Sequence, residues 1–562
     1  MPSTFPAYVV SQPDLEATRG HYEGFHERLA SAGSVEDCLA LIADWDQVVC
    51  EFREWSSLTY IRFHQDTTDA AYKAEKEKCD GILPKFADLE TKFKQALLDS
   101  PFRSEIEKST GSQLFAKWEC NTRSFSPEIE DDLASELGLQ SDYTALTAEA
   151  KIHFRGEEFT LSEMNKFYDH ADRETREESY RLSSQWYADK SPELDGIYDK
   201  QVRLRHAMAE KLGYATFTEL GYQRMTRIGY GPEEVARFRD EVRDKVVPLA
   251  VKIAEQQAQT LGVEPLMYWD TTVFSQEGNP APLGDHDWMI DRATEMFQKM
   301  GHGLPEFFEE MKARGAMDLK SREGKAGGGF CDFLPQFGFP FIFANFNGTR
   351  GDVDVFTHEV GHAFQCYSSR DQVMSDLIWP TTEACEIHSM ALEFLTWPDM
   401  DQFYGEEAAE ELRRIHLAHY IQFLPYGVSI DHFQHMVYDN PQASPEERNE
   451  MWQEIESIYL PWWRYGGLPH ETNGRAWQQK SHIYMCPFYY IDYCLALTGA
   501  LQFWSKSRQD PEGTLDAYVK LCSLGGSKNY TGLLASAELN SPFEAGCLDQ
   551  VIKDAKGYLV YS

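Results

Sequence analysis

His358 and His362 stand four residues apart in the stretch Val355–Phe364, with Glu359 between them. On a helix a spacing of four puts both imidazoles on one face, close enough to share a single ion. A carboxylate beside such a pair sits where it can take a proton from a water held at that ion. The residue types therefore point to metal-assisted hydrolysis.

Two imidazoles do not complete the site. A catalytic zinc takes three protein ligands and keeps one position open. The segment Thr381–Phe394 predicts a helix on which Glu383, Glu386, Met390 and Glu393 share a face among apolar neighbours. Carboxylates on such a face are costly unless paired or bound to metal. Glu386, 24 residues after His362, is the expected third ligand. Glu383 and Glu393 read either as groups that orient an imidazole or as structural ion pairs. His388 lies off that face and has no assigned role.

Hydrolysis of an amide also needs donors for the developing oxyanion. His482 precedes Pro487, which suits the first turn of a helix. Tyr490 and Tyr493 then fall on one face of that helix. These three could supply the oxyanion donors beside a metal site; the other reading is an aromatic core helix.

The rest of the chain must position these groups. Its 562 residues suffice for a substantial core, and 42% are hydrophobic. Leu39, Ile42, Trp45, Val49, Phe52 and Trp55 recur at helical steps behind Ser34, a plausible N-cap. Ile82, Phe86, Leu89, Phe93 and Leu97 repeat the pattern. Alternating apolar residues around Gly156 predict a short hairpin, a seam between an N-terminal helical lobe (1–148) and a catalytic region (149–562). Helices resume over Glu193–Leu220 and Pro232–Leu261. The Pro- and Gly-containing stretch Val263–Asp287 reads as irregular. Phe337–Gly348 reads as a strand, and Pro340 suggests an edge able to bind an extended peptide by strand addition; full pairing within a small sheet is the other reading. Beyond Phe364 the signal is helical, ending in Ala537–Ala555. The expected class is mainly α, with a small β-sheet beside the His358 helix.

Lys and Arg number 53 against 91 Asp and Glu, a formal charge of −38 that repels phosphate backbones and anionic lipid. No nucleic-acid or membrane partner is expected. Eleven scattered cysteines without a CxxC pair, and the lack of an apolar leader or spanning run, predict a cytoplasmic protein.

His358-Glu359-Val360-Gly361-His362, Glu386 with Ser389 and Glu393, and the His482–Tyr493 segment together resemble the thimet oligopeptidase and oligoendopeptidase F family of zinc metallopeptidases. Gly328-Gly329-Phe330-Cys331 and Phe341–Gly348 look like its oligoendopeptidase branch. The resemblance implies one zinc per chain on His358, His362 and Glu386, Glu359 as general base, and His482, Tyr490 and Tyr493 as transition-state donors, with Tyr489 able to replace Tyr490. It implies a two-lobed helical ellipsoid whose deep central channel admits oligopeptides. The expected activity is endopeptidase cleavage of short unstructured peptides. One rival is a peptidyl-dipeptidase-like zinc exopeptidase, with Arg224 or Arg227 anchoring a terminal carboxylate. Another is a non-catalytic peptide-binding protein, which would have no need of Glu359. The ligand set also tolerates manganese or cobalt.

Overall fold

The computed structural model describes residues 4–348 and 350–559. The protein is mainly helical, and the described residues form five short strands: β1 (Ile152–Phe154), β2 (Glu157–Phe159), β3 (Met317–Lys320), β4 (Phe330–Leu334) and β5 (Phe339–Phe346). The chain forms two compact units, each assembled from separated segments. One comprises Met1–Thr122, Ala281–Ala409 and Gly499–Ser541; the other comprises Arg123–Pro280, Glu410–Thr498 and Pro542–Ser562. Among the described residues no helix is long and apolar enough to cross a membrane, and all eleven cysteines are free thiols.

In the first unit the helix Val35–Gln65 starts where Ser34 accepts from the Asp37 N–H at 3.2 Å. Ile42, Trp45, Val49, Phe52 and Trp55 are buried along one face, as the periodicity predicts. They pack on Phe86 and Phe93 of the Ala70–Leu98 helix, with the Phe52 and Phe86 rings stacked at 3.7 Å. Burying aromatic faces of this size is the main stabilising term for these helices.

The same unit holds the sheet β3-β5-β4, in which β5 is parallel to β3 and antiparallel to β4. β5 is therefore the central strand, not the edge suggested by Pro340. The missing Pro340 N–H costs no ladder bond. It would point to the β3 side, where pairing begins only at Ile342. β4 is an outer strand of this sheet, and its Phe333 N–H, facing away from β5, donates to Asp332 Oδ1 at 2.8 Å.

In the second unit β1 and β2 form the expected hairpin, turning at Arg155-Gly156 with positive φ at both. The irregular stretch after Leu261 holds only the short turn Tyr268–Asp270. The last helix covers Asp549–Leu559 rather than starting at Ala537, because Pro542 and Gly546 interrupt the segment between.

A buried polar cluster in this unit has a consequence for acid stability. His470 is fully buried; its Nε2 lies 2.9 Å from Gln478 Oε1, and its Nδ1 accepts from Gln479 Nε2 at 3.3 Å. Both ring nitrogens are thus satisfied by the neutral tautomer. Burial lowers its pKa from 6.5 to about 4. Between those values the unfolded chain binds the proton and the folded chain does not, so this contribution to stability is lost as pH falls from 6.5 toward 4. Replacing His470 by Asn is expected to flatten the acid-side dependence of the unfolding free energy by up to about one proton. Urea titrations at pH 7, 6 and 5 check this; parallel slopes for both proteins would refute it.

Candidate metal centre

The turn between β5 and the helix Gly351–Ser368 is held by Asp352, whose carboxylate accepts from the N–H groups of Asn347 and Gly348 at 2.7–3.1 Å. That helix carries His358, Glu359 and His362. The second ligand helix, Thr382–Leu395, crosses it at Gly361. A Cβ at Gly361 would lie 2.6 Å from His388 O and from Ser389 Cα. Only glycine permits this approach.

The close crossing brings the three expected ligands together. Glu386 Oε2 lies 3.2 Å from His358 Nε2 and 3.3 Å from His362 Nε2. The ligand atoms of all three lie within 4.8 Å of one another. Metal–ligand bonds of about 2.1 Å in a tetrahedron keep neighbouring ligand atoms about 3.4 Å apart, so the residues present fit an ion of zinc's size. His358 Nδ1 meets Glu393 Oε1 at 2.8 Å, which turns the Nε2 lone pair toward Glu386. Ser389 Oγ donates to Glu386 Oε2 at 3.1 Å. Of the two carboxylates left open by the sequence, Glu393 orients an imidazole, while Glu383 is buried outside the ligand group.

The electrostatics point the same way. Burial would raise the Glu386 carboxyl, but the His362 and His358 imidazoles hold it well below the usual range. Burial would lower His358, but Glu386 and Glu393 hold it well above the ordinary histidine value. Carboxylates thus surround a point that favours positive charge.

Glu359 is 6% exposed, and its Oε2 has no hydrogen-bond partner. Burial raises its carboxyl above the usual range. A Cβ placed on Gly329 would lie 3.3 Å from Glu359 Oε1, so the glycine just before β4 leaves room beside this carboxylate. An unpartnered carboxylate oxygen at this depth is costly unless a reactant uses it.

His482, Tyr490 and Tyr493 lie in the second unit and are brought together with one another. The His482 ring is 5.1 Å from Tyr490 and 6.0 Å from Tyr493, edge to face in both cases. Tyr489 belongs to the group as well, stacked on His482 at 5.9 Å. Tyr490 is buried and hydrogen-bonds Tyr426, whereas Tyr489 and Tyr493 are half-buried. Burial, and then Lys480, lower the His482 pKa to about 4, so the imidazole is neutral at neutral pH. Phe488, before the tyrosines, adopts φ +67°, a conformation fixed by the bonds of Gln434 Oε1 to its N–H and of Arg227 Nη2 to its carbonyl. Nothing in the local sequence announces those two partners.

The arginines left open by the sequence are both committed. Arg224 Nη1 pairs with Glu136 Oε2 at 3.0 Å, and Arg227 is buried against Asp492.

The sequence profile of Peptidase family M3 matches residues 167–551, and that of the Peptidase M3 N-terminal domain matches residues 5–125. The fold is similar to that of PZ peptidase A solved with an inhibitor: TM-score 0.93, 41% identity, 99% of each chain covered. It is similar to a candidate oligoendopeptidase F from Bacillus anthracis, with TM-score 0.88 and 41% identity over 99% of this chain and 98% of that one. Oligoendopeptidase F from Enterococcus faecium shares the fold at TM-score 0.60 and 14% identity, over 97% of each chain. No curated protein matches.

Proposed function

Because the chain belongs to peptidase family M3 and is thereby a metallopeptidase, we propose that it is a zinc-dependent endopeptidase cleaving internal bonds of short unstructured oligopeptides. The observation that carries this reading is the convergence of His358, His362 and Glu386 beside the unpartnered Glu359 carboxylate. His358, His362 and Glu386 would hold one zinc ion. When bound, the ion supplies Lewis acidity, polarising the scissile carbonyl and acidifying water.

The protein's own groups do the remaining work. Glu359 takes the proton of the attacking water and delivers it to the leaving amine. His482, neutral at working pH, and Tyr493 donate hydrogen bonds to the oxyanion, with Tyr490 or its neighbour Tyr489 as the second phenol. The start of β4, next to Gly329 and Glu359, would take an extended peptide by strand addition; further along, the outward Phe333 N–H is held by Asp332 Oδ1 at 2.8 Å. Residues 1–148 as an N-terminal helical lobe, 149–562 as the catalytic region, and a cytoplasmic location complete the proposal.

The test uses a quenched peptide blocked at both ends, with fragments read by mass. Internal cleavage should vanish on chelation and return with stoichiometric zinc. Cleavage that needs a free C-terminus, or that survives chelation, would overturn the reading. The committed state of Arg224 and Arg227 leaves neither as a ready anchor for a terminal carboxylate.

Tyr493→Phe removes one donor and leaves the ring in place. The expected result is a kcat about a hundredfold lower with KM nearly unchanged, the pattern of a bond made only in the transition state. A rise in KM at constant kcat would instead place Tyr493 in ground-state binding.

A further inference from the structure

The His358 helix ends at Ser368 and the Glu386 helix begins at Thr382, so residues 369–381 decide how the two ligand helices meet. This connection is gripped by helices far away in sequence. Asp376, in the short turn Ser375–Leu377, accepts from Arg53 Nη2 at one carboxylate oxygen and from Trp118 Nε1 at the other at 3.0 Å. Lys94 Nζ lies 3.7 Å from that second oxygen. Lys117 Nζ donates to the backbone carbonyls of Asp376 at 2.5 Å and Trp379 at 3.2 Å. Ser375 Oγ donates to Asp46 at 2.6 Å. Gln365 of the His358 helix and Ser369, the first residue after it, donate to Ile378 O at 2.9 and 2.8 Å, and Gly526 N–H donates to Leu377 O at 2.7 Å.

Burial would raise the Asp376 carboxyl, but Lys94, Arg53 and Lys117 hold it well below the usual range. It therefore stays charged at any working pH. Ion clusters removed from water return little net stability, since desolvation offsets most of the attraction. What such a cluster does supply is fixed geometry, because each partner pins another at hydrogen-bond distance. The pinned loop ends next to the metal ligands: the Trp379 ring stands 6.3 Å from the His362 ring.

We propose that Asp376, together with Arg53, Lys94 and Lys117, is a positioning residue for the metal centre. It fixes the connection 369–381 so that Glu386 Oε2 meets the Nε2 atoms of His358 and His362. This rests on the reading of those three residues as metal ligands. It makes the N-terminal helices part of the support of the ion, in addition to any role in admitting substrate.

The test compares Asp376→Asn and Lys117→Met with Glu136→Gln, which removes a carboxylate similarly buried and paired with Arg205 and Arg224 in the other unit. Zinc affinity is measured by competition with a chromogenic chelator, and ligand geometry by the visible absorption of the cobalt-substituted protein. Both loop variants are expected to weaken zinc binding about tenfold or more and to shift the cobalt bands. Glu136→Gln should keep wild-type values in both, whatever its thermal stability, and Asp376→Glu should recover part of the affinity. Wild-type zinc affinity and cobalt spectra in the loop variants would overturn the proposal, as would an equal loss in Glu136→Gln. Should Asp376→Asn not fold, Lys117→Met decides, since methionine keeps the length and apolar stem of the lysine. If the unaltered protein itself holds no stoichiometric zinc, the metal reading falls and takes this proposal with it. If that protein binds zinc and the loop variants bind it equally well, only the positioning role falls.

Discussion

Glu359→Gln is expected to leave zinc bound at the wild-type level and to lower turnover about a thousandfold. Glutamine matches glutamate in shape but cannot accept the proton of the attacking water. None of the three ligand atoms is touched, because Glu359 lies outside the His358, His362 and Glu386 group. The cost to the fold is small: Oε2 of Glu359 makes no hydrogen bond that the substitution would break. KM should change little, since the carboxylate acts on the water rather than holding the peptide. The comparison that matters is metal content after dialysis against kcat on the same sample. Loss of zinc in parallel with activity would move Glu359 into the ligand set, and near-normal turnover would remove it from catalysis.

That glutamate was legible in the sequence because a helix fixes the relation of neighbours by itself. Once Val355–Phe364 is helical, the i and i+4 imidazoles and the adjacent carboxylate follow from backbone geometry. Glu386 was legible for a related reason, as a carboxylate on an otherwise apolar helical face. The aromatic stripe from Ile42 to Trp55 likewise shows its buried side without any knowledge of its partner. Partner choice is another matter. Asp376 and Arg53 are 323 residues apart, and no local pattern says that the turn after the His358 helix will be held by the Val35–Gln65 helix. The choice between an edge strand and a fully paired one stayed open for the same reason. Pro340 reports a missing donor, but whether β3 reaches that far depends on tertiary register. The two arginines near residue 225 gave no sign of Glu136 or Asp492, which lie on distant segments of the same unit.

Gly361 joins the two kinds of information, and its substitution is the sharpest structural test of the site. In Gly361→Ala the new Cβ would sit 2.6 Å from His388 O and Ser389 Cα and 3.1 Å from His388 C, where ordinary contact begins at 3.4 Å. These neighbours are backbone of the Glu386 helix, so no side-chain rotation relieves the clash. The helices must separate by about 0.8 Å, the difference between those contact distances. Alanine favours a helix over glycine by about 1 kcal/mol, whereas overpacking of this kind costs about 1–3 kcal/mol, so the net effect is destabilising. The larger consequence is chemical. Moving the Glu386 helix outward lengthens the 3.2 and 3.3 Å separations between Glu386 and the two imidazoles, and one ion can no longer satisfy all three at normal bond lengths. Zinc affinity is expected to fall about a hundredfold, the loss of a well-placed ligand, with activity partly restored by excess zinc. This separates Gly361→Ala from Glu359→Gln, which keeps the metal and cannot be rescued by it. Tight zinc binding and full activity in Gly361→Ala would mean that the crossing of the two helices does not set the ligand geometry, and the account of how this fold builds its metal centre would have to be replaced.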